Sequence, residues 1–481
     1  MTFPSRALAP LLLLGALALV ADAGAQGSPS SSGSASPGAA SPPDESVLGT
    51  VEVDGSGGRV LPPLPKLAIV PLPSVSVPDN LLNMVVRRDL ELSGQFNVLD
   101  MKMSPPGPFS RTLTPDLAAF GAIGAEYIVR TYAETEGAKT KLVMEAFLAP
   151  KAGAPEPSAP VAPAYRTALV GDTDHLRPTV HKLVDALLGA LTGRIGGFSS
   201  NLAYAARVGD WRTAYVLDAD GFDLHSESPK GVTILSPTFG PGGHLFYAMS
   251  ANYAPFRVAA TEKGLTFPFT LPGSVLGLAF SSDQTKAALT VMSEGTSSLW
   301  LAEKGVLKQT PAAPFANHPT FGPLGKLAYA GGSPVQRVYV DGKPISPAGF
   351  MASSPVFCDT PEGLLVLFTV QVSGGADIIA MDSKGGSIRR LTQRQGSNSF
   401  PACSPDGRLI AFFSSTKTGA GSGLYLMPVA RPWLAKKVSN ELGESLQWDR
   451  RHLEEPQATS TAAPAPAPAS TSTAAPASPV R

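Results

Sequence analysis

Pro401-Ala402-Cys403-Ser404-Pro405-Asp406-Gly407-Arg408-Leu409 reads as the end of one apolar strand, a tight turn, and the start of the next strand. The same unit recurs through the second half of the chain. Its copies are Pro237-Thr238-Phe239, Leu278-Ala279-Phe280, Pro319-Thr320-Phe321, Pro355-Val356-Phe357, Pro401-Ala402-Cys403 and Leu446-Gln447-Trp448. The third positions, 239, 280, 321, 357, 403 and 448, are spaced by 41, 41, 36, 46 and 45 residues. A period near this length with several strands per unit is the signature of a β-propeller.

Each unit divides into four short strands. In one they are Val356-Phe357, 364–370, 376–381 and 387–391, and in the next 402–403, 409–413, 423–427 and 436–438. Ahead of the first full unit lie 202–207, 213–217 and 222–225, three strands lacking an innermost one. The lone strand at Leu446-Gln447-Trp448 can supply it. One blade is then built from both ends of the ring, which makes six blades and leaves no free edge.

The region from Leu67 to Gly193 has a different pattern. Leu67-Ala68-Ile69-Val70 is a short apolar strand. Asp79 is placed to cap a helix with Leu82, Val86 and Leu90 on one face, ended by Gly94. Phe96 to Leu99 is a second strand, and Thr114-Pro115 starts a second helix. Tyr127-Ile128-Val129, Lys139 to Leu148 and Tyr165 to Val170 read as strands, with a Pro/Ala insert at 149–164. A third helix begins near Pro178, carries Val180, Val184, Leu187 and Leu191, and stops at Gly193. The expected fold class is therefore an α/β amino-terminal domain followed by an all-β six-bladed propeller.

The ends are of low complexity. Arg6, the apolar run Leu8 to Val20, and Ala23-Gly24-Ala25 fit a secretory signal spanning 1–25, cleaved before Gln26. Residues 26–46 are a Ser/Pro/Ala linker and 453–481 an Ala/Pro/Ser/Thr tail, both expected to be disordered. The domain boundaries expected are 61–197 and 198–452. The 38 Lys+Arg balance the 38 Asp+Glu of the 481-residue chain, which removes the electrostatic argument for a nucleic-acid partner. No later segment is apolar for long enough to suggest membrane insertion.

Only Cys358 and Cys403 are present. Cys403 takes the aromatic slot of its repeat, and Cys358 falls one position beyond its own. Alternation then points the two side chains to opposite faces of a strand, so two unpaired thiols are expected. The tryptophans Trp211, Trp300, Trp433 and Trp448 are expected in the core or between blades.

Four stretches resemble the TolB family, the periplasmic propeller proteins of the Tol–Pal envelope system. The first is Ile69-Val70-Pro71 with Arg87-Arg88-Asp89-Leu90 and Ser93 to Asp100. The second is Leu191-Thr192-Gly193-Arg194-Ile195-Gly196-Gly197-Phe198. The third is the turn Ser404-Pro405-Asp406-Gly407-Arg408-Leu409, and the fourth Ile388-Arg389-Arg390-Leu391-Thr392. The resemblance implies a non-enzymatic monomeric adaptor without cofactor or metal. Its propeller face would bind the peptidoglycan-associated lipoprotein Pal. An amino-terminal segment, the TolA box, would bind the inner-membrane protein TolA by adding a strand to its sheet. The candidate box is Thr50-Val51-Glu52-Val53-Asp54, within 47–60. The Ser/Pro/Ala leader and the tail depart from the family pattern.

The candidate partner-binding residues are Ser236, Ser274, Asn317, His318, Ser353, Ser354, Asn398 and Ser399, expected in loops that precede the innermost strands. A family histidine at this face corresponds to Ser274, and His318 could substitute one blade on. The competing reading is that these residues only cap turns. Catalytic constellations are absent from the sequence. Asp283 and Asp406 suit Asx turns, Gly240-Pro241-Gly242-Gly243 lacks the Lys and helix of a phosphate cradle, and no His-Glu-x-x-His or Gly-x-Ser-x-Gly occurs. The alternative functions are an exported scaffold or carbohydrate-binding propeller, and behind these a propeller hydrolase.

Overall fold

Ser76 starts the first helix, α1 (Val77–Leu92). Its hydroxyl accepts from Asp79 N (3.2 Å) while the Asp79 carboxylate accepts from Ser76 N (3.4 Å). Asp79 is thus the third residue of a capping box and not the cap itself. It does more than cap: fully buried, it also accepts from Ala133 N (2.8 Å) and from Arg111 Nη2 (2.6 Å). The computed structural model describes residues 45–48, 61–72, 76–107, 109–150, 161–393 and 396–450. The signal segment, Thr50 to Asp54, and the tail 453–481 lie outside the described residues.

The amino-terminal sheet holds β1 (Lys66–Ile69), β2 (Asn97–Val98), β3 (Tyr127–Glu136), β4 (Lys139–Leu148) and β5 (Tyr165–Asp172) in the order β2-β1-β3-β4-β5. β1 pairs parallel with β2 and β3, and β3, β4 and β5 form an antiparallel meander. Alternation along β1 divides the core. Leu67 and Ile69 pack against α1 and α3 (Arg177–Thr192), while Ala68 and Val70 face Leu117 and Phe120 of α2 (Leu117–Ala122). α2 starts later than Thr114-Pro115, because the Asp116 side chain is the cap and accepts from Ala119 N (2.9 Å). Gly193 ends α3 in the left-handed conformation, φ +78°.

Six antiparallel sheets follow. Their innermost strands are Val232–Phe239, Ser274–Phe280, Asn317–Phe321, Ala352–Thr360, Asn398–Cys403 and Glu444–Trp448. The last pairs with Asn201–Val208 and so joins the two ends of the ring. Trp448 is 3% exposed and its Nε1 donates to Ser200 Oγ at 2.8 Å. The first blade has three strands among the described residues, not the four the repeat suggests. Close packing between blades explains Gly322: a Cβ there would lie 2.6–2.8 Å from three ring carbons of Phe357. Trp433, 45% exposed, is not a core residue.

The expectation of free thiols is overturned. Cys358 and Cys403 form a disulfide with Cα atoms 5.4 Å apart. They sit on innermost strands of adjacent blades. In a propeller the front of one sheet packs on the back of the next, so opposite orientations in the repeat bring the two side chains together. The expected linker is also ordered at its end. Glu45–Leu48 forms a short 3₁₀ turn, Leu48 is fully buried among Phe350, Phe368 and Ile379, and Glu45 accepts from Ser373 N (2.9 Å) and faces Arg390 Nη1 (3.2 Å).

Candidate partner-binding face and axial channel

Every innermost strand carries an irregularity midway. The register slips at the residues between Leu235 and Thr238, Val275 and Gly277, Asn317 and Thr320, Ser353 and Val356, Ser399 and Ala402, and Glu444 and Gln447. In five blades the first inserted residue has positive φ: Ser236, His318, Ser354, Phe400 and Ser445. In four of these proline follows, at 237, 319, 355 and 401. Proline has no N–H to give the ladder, so a bulge is where it can sit in an inner strand. A left-handed non-glycine residue costs roughly 1–2 kcal/mol. Here it turns the side chain toward the ring axis.

Those five side chains line one narrow cavity of about 30 Å³. This is the neck of the axial channel, with room for little more than a water molecule. The rings of His318 and Phe400 meet edge to face across it, centroids 6.3 Å apart. Burial pushes the His318 imidazole down to about 4, so the ring is neutral near pH 7. Its Nδ1 is shielded from solvent without a partner among the described residues.

Three of the eight candidate residues, Ser236, His318 and Ser354, thus meet at the neck. They lie within strands and not in the loops before them. Ser236 Oγ donates to Leu276 O at 2.9 Å, and Ser274 Oγ caps Phe256 N at 2.9 Å. Asn317 accepts from Gln336 Nε2 at 3.0 Å. Ser353 and Ser399 begin the half-buried approach to their bulges. Asn398 is only 2% exposed and donates to Asp377 Oδ1 at 3.3 Å, inside a buried network with Arg390 and Thr392. It is therefore a structural group of the blade and not part of an open face.

The loops around the start of the innermost strands hold residues the repeat did not reveal. Tyr253 is 93% exposed, Phe315 46%, Met351 50% and Leu442 45%. All four lie in connections that open on this side of the ring. The other side is occupied. There Arg194 Nη1 donates to Asp359 O (2.7 Å) and Asp406 O (3.0 Å), Arg408 Nη2 to Thr192 O (3.0 Å), and Arg431 Nη2 to Pro62 O (2.6 Å). Asp406 and Asp283 form the expected Asx turns, accepting from Arg408 N (3.2 Å) and Thr285 N (3.1 Å).

A buried ionic cluster joins α1 and α3 to the turn after Trp211–Asp218. His181 Nδ1 lies 2.6 Å from Asp89 Oδ2, and its Nε2 lies 3.5 Å from Asp218 Oδ2 and 3.9 Å from Asp220 Oδ1. Arg177 pairs with Asp218 (2.7 Å) and Asp220, and Arg88 donates to Asp220 O (2.6 Å). Both guanidiniums lie over the Phe222 ring, Arg88 at 4.8 Å and Arg177 at 4.4 Å. Burial opposes a charge on His181, yet Asp89 and the neighbouring acids outweigh it and hold its pKa up at about 10. Asp89, His181 and Asp220 are close enough to hold a metal ion. Three cationic groups already balance three carboxylates, so the cluster is neutral as a domain latch. Spread over three separate segments, it has no local spacing signal.

Residues 51–149 match the TolB amino-terminal domain family. The Tol-Pal system protein TolB of Aromatoleum aromaticum is 27% identical over 203 residues, 40% of this chain and 42% of that protein. That of Methylobacillus flagellatus is 28% identical over 206 residues, with the same shares. The chain thus spans about two fifths of the length of these curated relatives. The crystal structure of TolB from Acinetobacter baumannii superimposes with a TM-score of 0.62 at 19% identity, covering 80% of this chain and 97% of that one. At that identity the superposition shows the fold, and the chain is TolB-like in its amino-terminal domain and in its six-bladed ring.

Proposed function

We propose that this TolB-like chain is an exported periplasmic adaptor of a Tol–Pal system. The face where the innermost strands begin receives a Pal-like outer-membrane lipoprotein, and the segment Thr50 to Asp54 engages a TolA-like inner-membrane protein. One observation carries the reading. The amino-terminal domain docks on the opposite face, and the face that receives Glu45–Leu48 presents Tyr253, Phe315, Met351 and Leu442 on the side of the His318 neck. Exposed aromatic and methionine side chains around a concave centre suit a protein partner. Among the described residues no helix is long and apolar enough to cross a membrane.

The docking of Leu48 supports a switch. It lies two residues before the candidate box, and Glu45 reaches Ser373 in a loop on the same face. A partner that disturbs this loop changes the cost of releasing Leu48, and release changes the partner's affinity equally. The reading is one of binding and not turnover. Titration calorimetry of the full chain with the soluble part of a Pal-like lipoprotein tests it. Tyr253→Ala with Phe315→Ala should weaken binding by about tenfold or more. Equal affinity in the double variant, or binding of glycans in place of the lipoprotein, refutes the reading.

A further inference from the structure

On the side where the innermost strands end, the channel opens into a vestibule of about 640 Å³. The neck beyond it holds only about 30 Å³, room for little more than a water molecule. One wall is apolar, formed by Phe239, Phe280 and Phe321 from three successive blades. These are the aromatic slots of the repeat, and Phe239 and Phe280 remain half-buried. Arg450, two residues past the end of the closing strand Glu444–Trp448, lines the same vestibule.

Arg450 stands apart from the other charged groups of the vestibule. The Arg194 guanidinium is committed to Asp359 and to the Asp406 carbonyl. The Asp359 carboxylate faces Arg194 at 3.3 Å. Asp406 is held by Ser404 and by Arg408 N, and Asp449 is also engaged. Arg450 makes no hydrogen bond or ion pair among the described residues. Burial works against its charge, with Asp359 offsetting part of that. A guanidinium held in a half-enclosed site with no acceptor among the described residues has its bidentate donor edge available to a ligand.

We propose that this vestibule is a binding site for a small carboxylate with an apolar body, its carboxylate paired bidentately with Arg450 and its apolar part against Phe239, Phe280 and Phe321. The chemistry is met by a free aryl or alkyl organic acid and by the carboxyl terminus of a peptide ending in an apolar residue. The site is separate from the proposed lipoprotein face, which lies at the other end of the channel.

The test is fluorine NMR of para-fluorophenylpropionate titrated into the full chain, with para-fluorophenylpropionamide as the neutral control. A short peptide ending in phenylalanine, with a free or an amidated carboxyl terminus, then competes for the site. Saturable binding of the acid, absent for the amide, is expected. Arg450→Ala should weaken it by about tenfold or more, the usual effect of losing a charge-assisted hydrogen-bonded pair. Arg450→Gln, closer in shape, carries the test if the alanine variant does not fold. Displacement by the free-carboxylate peptide alone identifies a peptide end as a ligand, and no displacement identifies the free acid. Absence of saturable binding, equal binding of acid and amide, or unchanged binding in both folded Arg450 variants overturns the proposal. Lipoprotein affinity should be the same in these variants, so failure here is distinct from failure of the adaptor reading.

Discussion

Replacing Trp448 with alanine attacks the ring where its two ends meet. The indole is 3% exposed and donates to Ser200 Oγ at 2.8 Å, and its strand is held to Asn201–Val208 by the pairs Glu444–Ala205, Gln447–Ala203 and Trp448–Leu202. Removing a buried tryptophan side chain costs about 3–5 kcal/mol in lost burial and residual cavity. In a domain of this size each kcal/mol lowers the melting temperature by roughly 2–4 °C, so the expected drop is about 6–20 °C. Trp448→Phe retains most of the apolar volume and loses the hydrogen bond, for a cost nearer about 1 kcal/mol. Differential scanning calorimetry reads both. Deleting the chain after Glu441 removes the whole closing strand and should leave a ring that unfolds or aggregates. A soluble truncation with an unaltered transition, or Trp448→Ala melting with the wild type, refutes closure by this strand.

Three further outcomes follow from other contacts. Gly322→Ala pushes a methyl group into the Phe357 ring and should destabilise by about 1–3 kcal/mol in urea unfolding, whereas an unchanged midpoint means the blades are not packed there as described. His181 holds its proton up to about pH 10 in the folded state, against 6.5 for an unperturbed imidazole. Its contribution is therefore complete below about pH 6.5 and lost as pH rises toward 10. The stability gap between wild type and His181→Gln should shrink over that window in a pH series of thermal melts, and a constant gap shows that the imidazole is not charged. The Cys358–Cys403 bond closes a 45-residue separation, worth about 4 kcal/mol by the chain-entropy relation. Mass spectrometry should find no free thiol, and reduction should lower the melting temperature.

The repeat made the ring legible because each innermost strand must present the same face to the same neighbour. The slots at Phe239, Phe280, Phe321, Phe357, Cys403 and Trp448 mark that need directly. The first and third helices of the first domain were legible from their apolar stripes, and the third begins within a residue of Pro178, but the starts of the first two were not legible. Ser76 and Asp116 cap by contacts that a pattern of hydrophobic residues does not encode. Relations between elements were hidden in the same way. The disulfide depends on which faces of successive blades meet. The latch of Asp89, His181 and Asp220 unites three distant segments. The eight candidate residues were read as loop residues because the bulge that turns Ser236, His318 and Ser354 inward is a property of strand pairing, and Asn398 was turned away by its bond to Asp377.

Hydrogen–deuterium exchange of the full chain with and without a Pal-like lipoprotein addresses the adaptor reading most directly, since the two faces of the ring carry different peptides. Protection concentrated in the connections around Tyr253, Phe315, Met351 and Leu442, with altered exchange at Glu45–Leu48, is the predicted result. Protection confined to the turns at Arg194, Asp359 and Asp406, or none on either face, contradicts it.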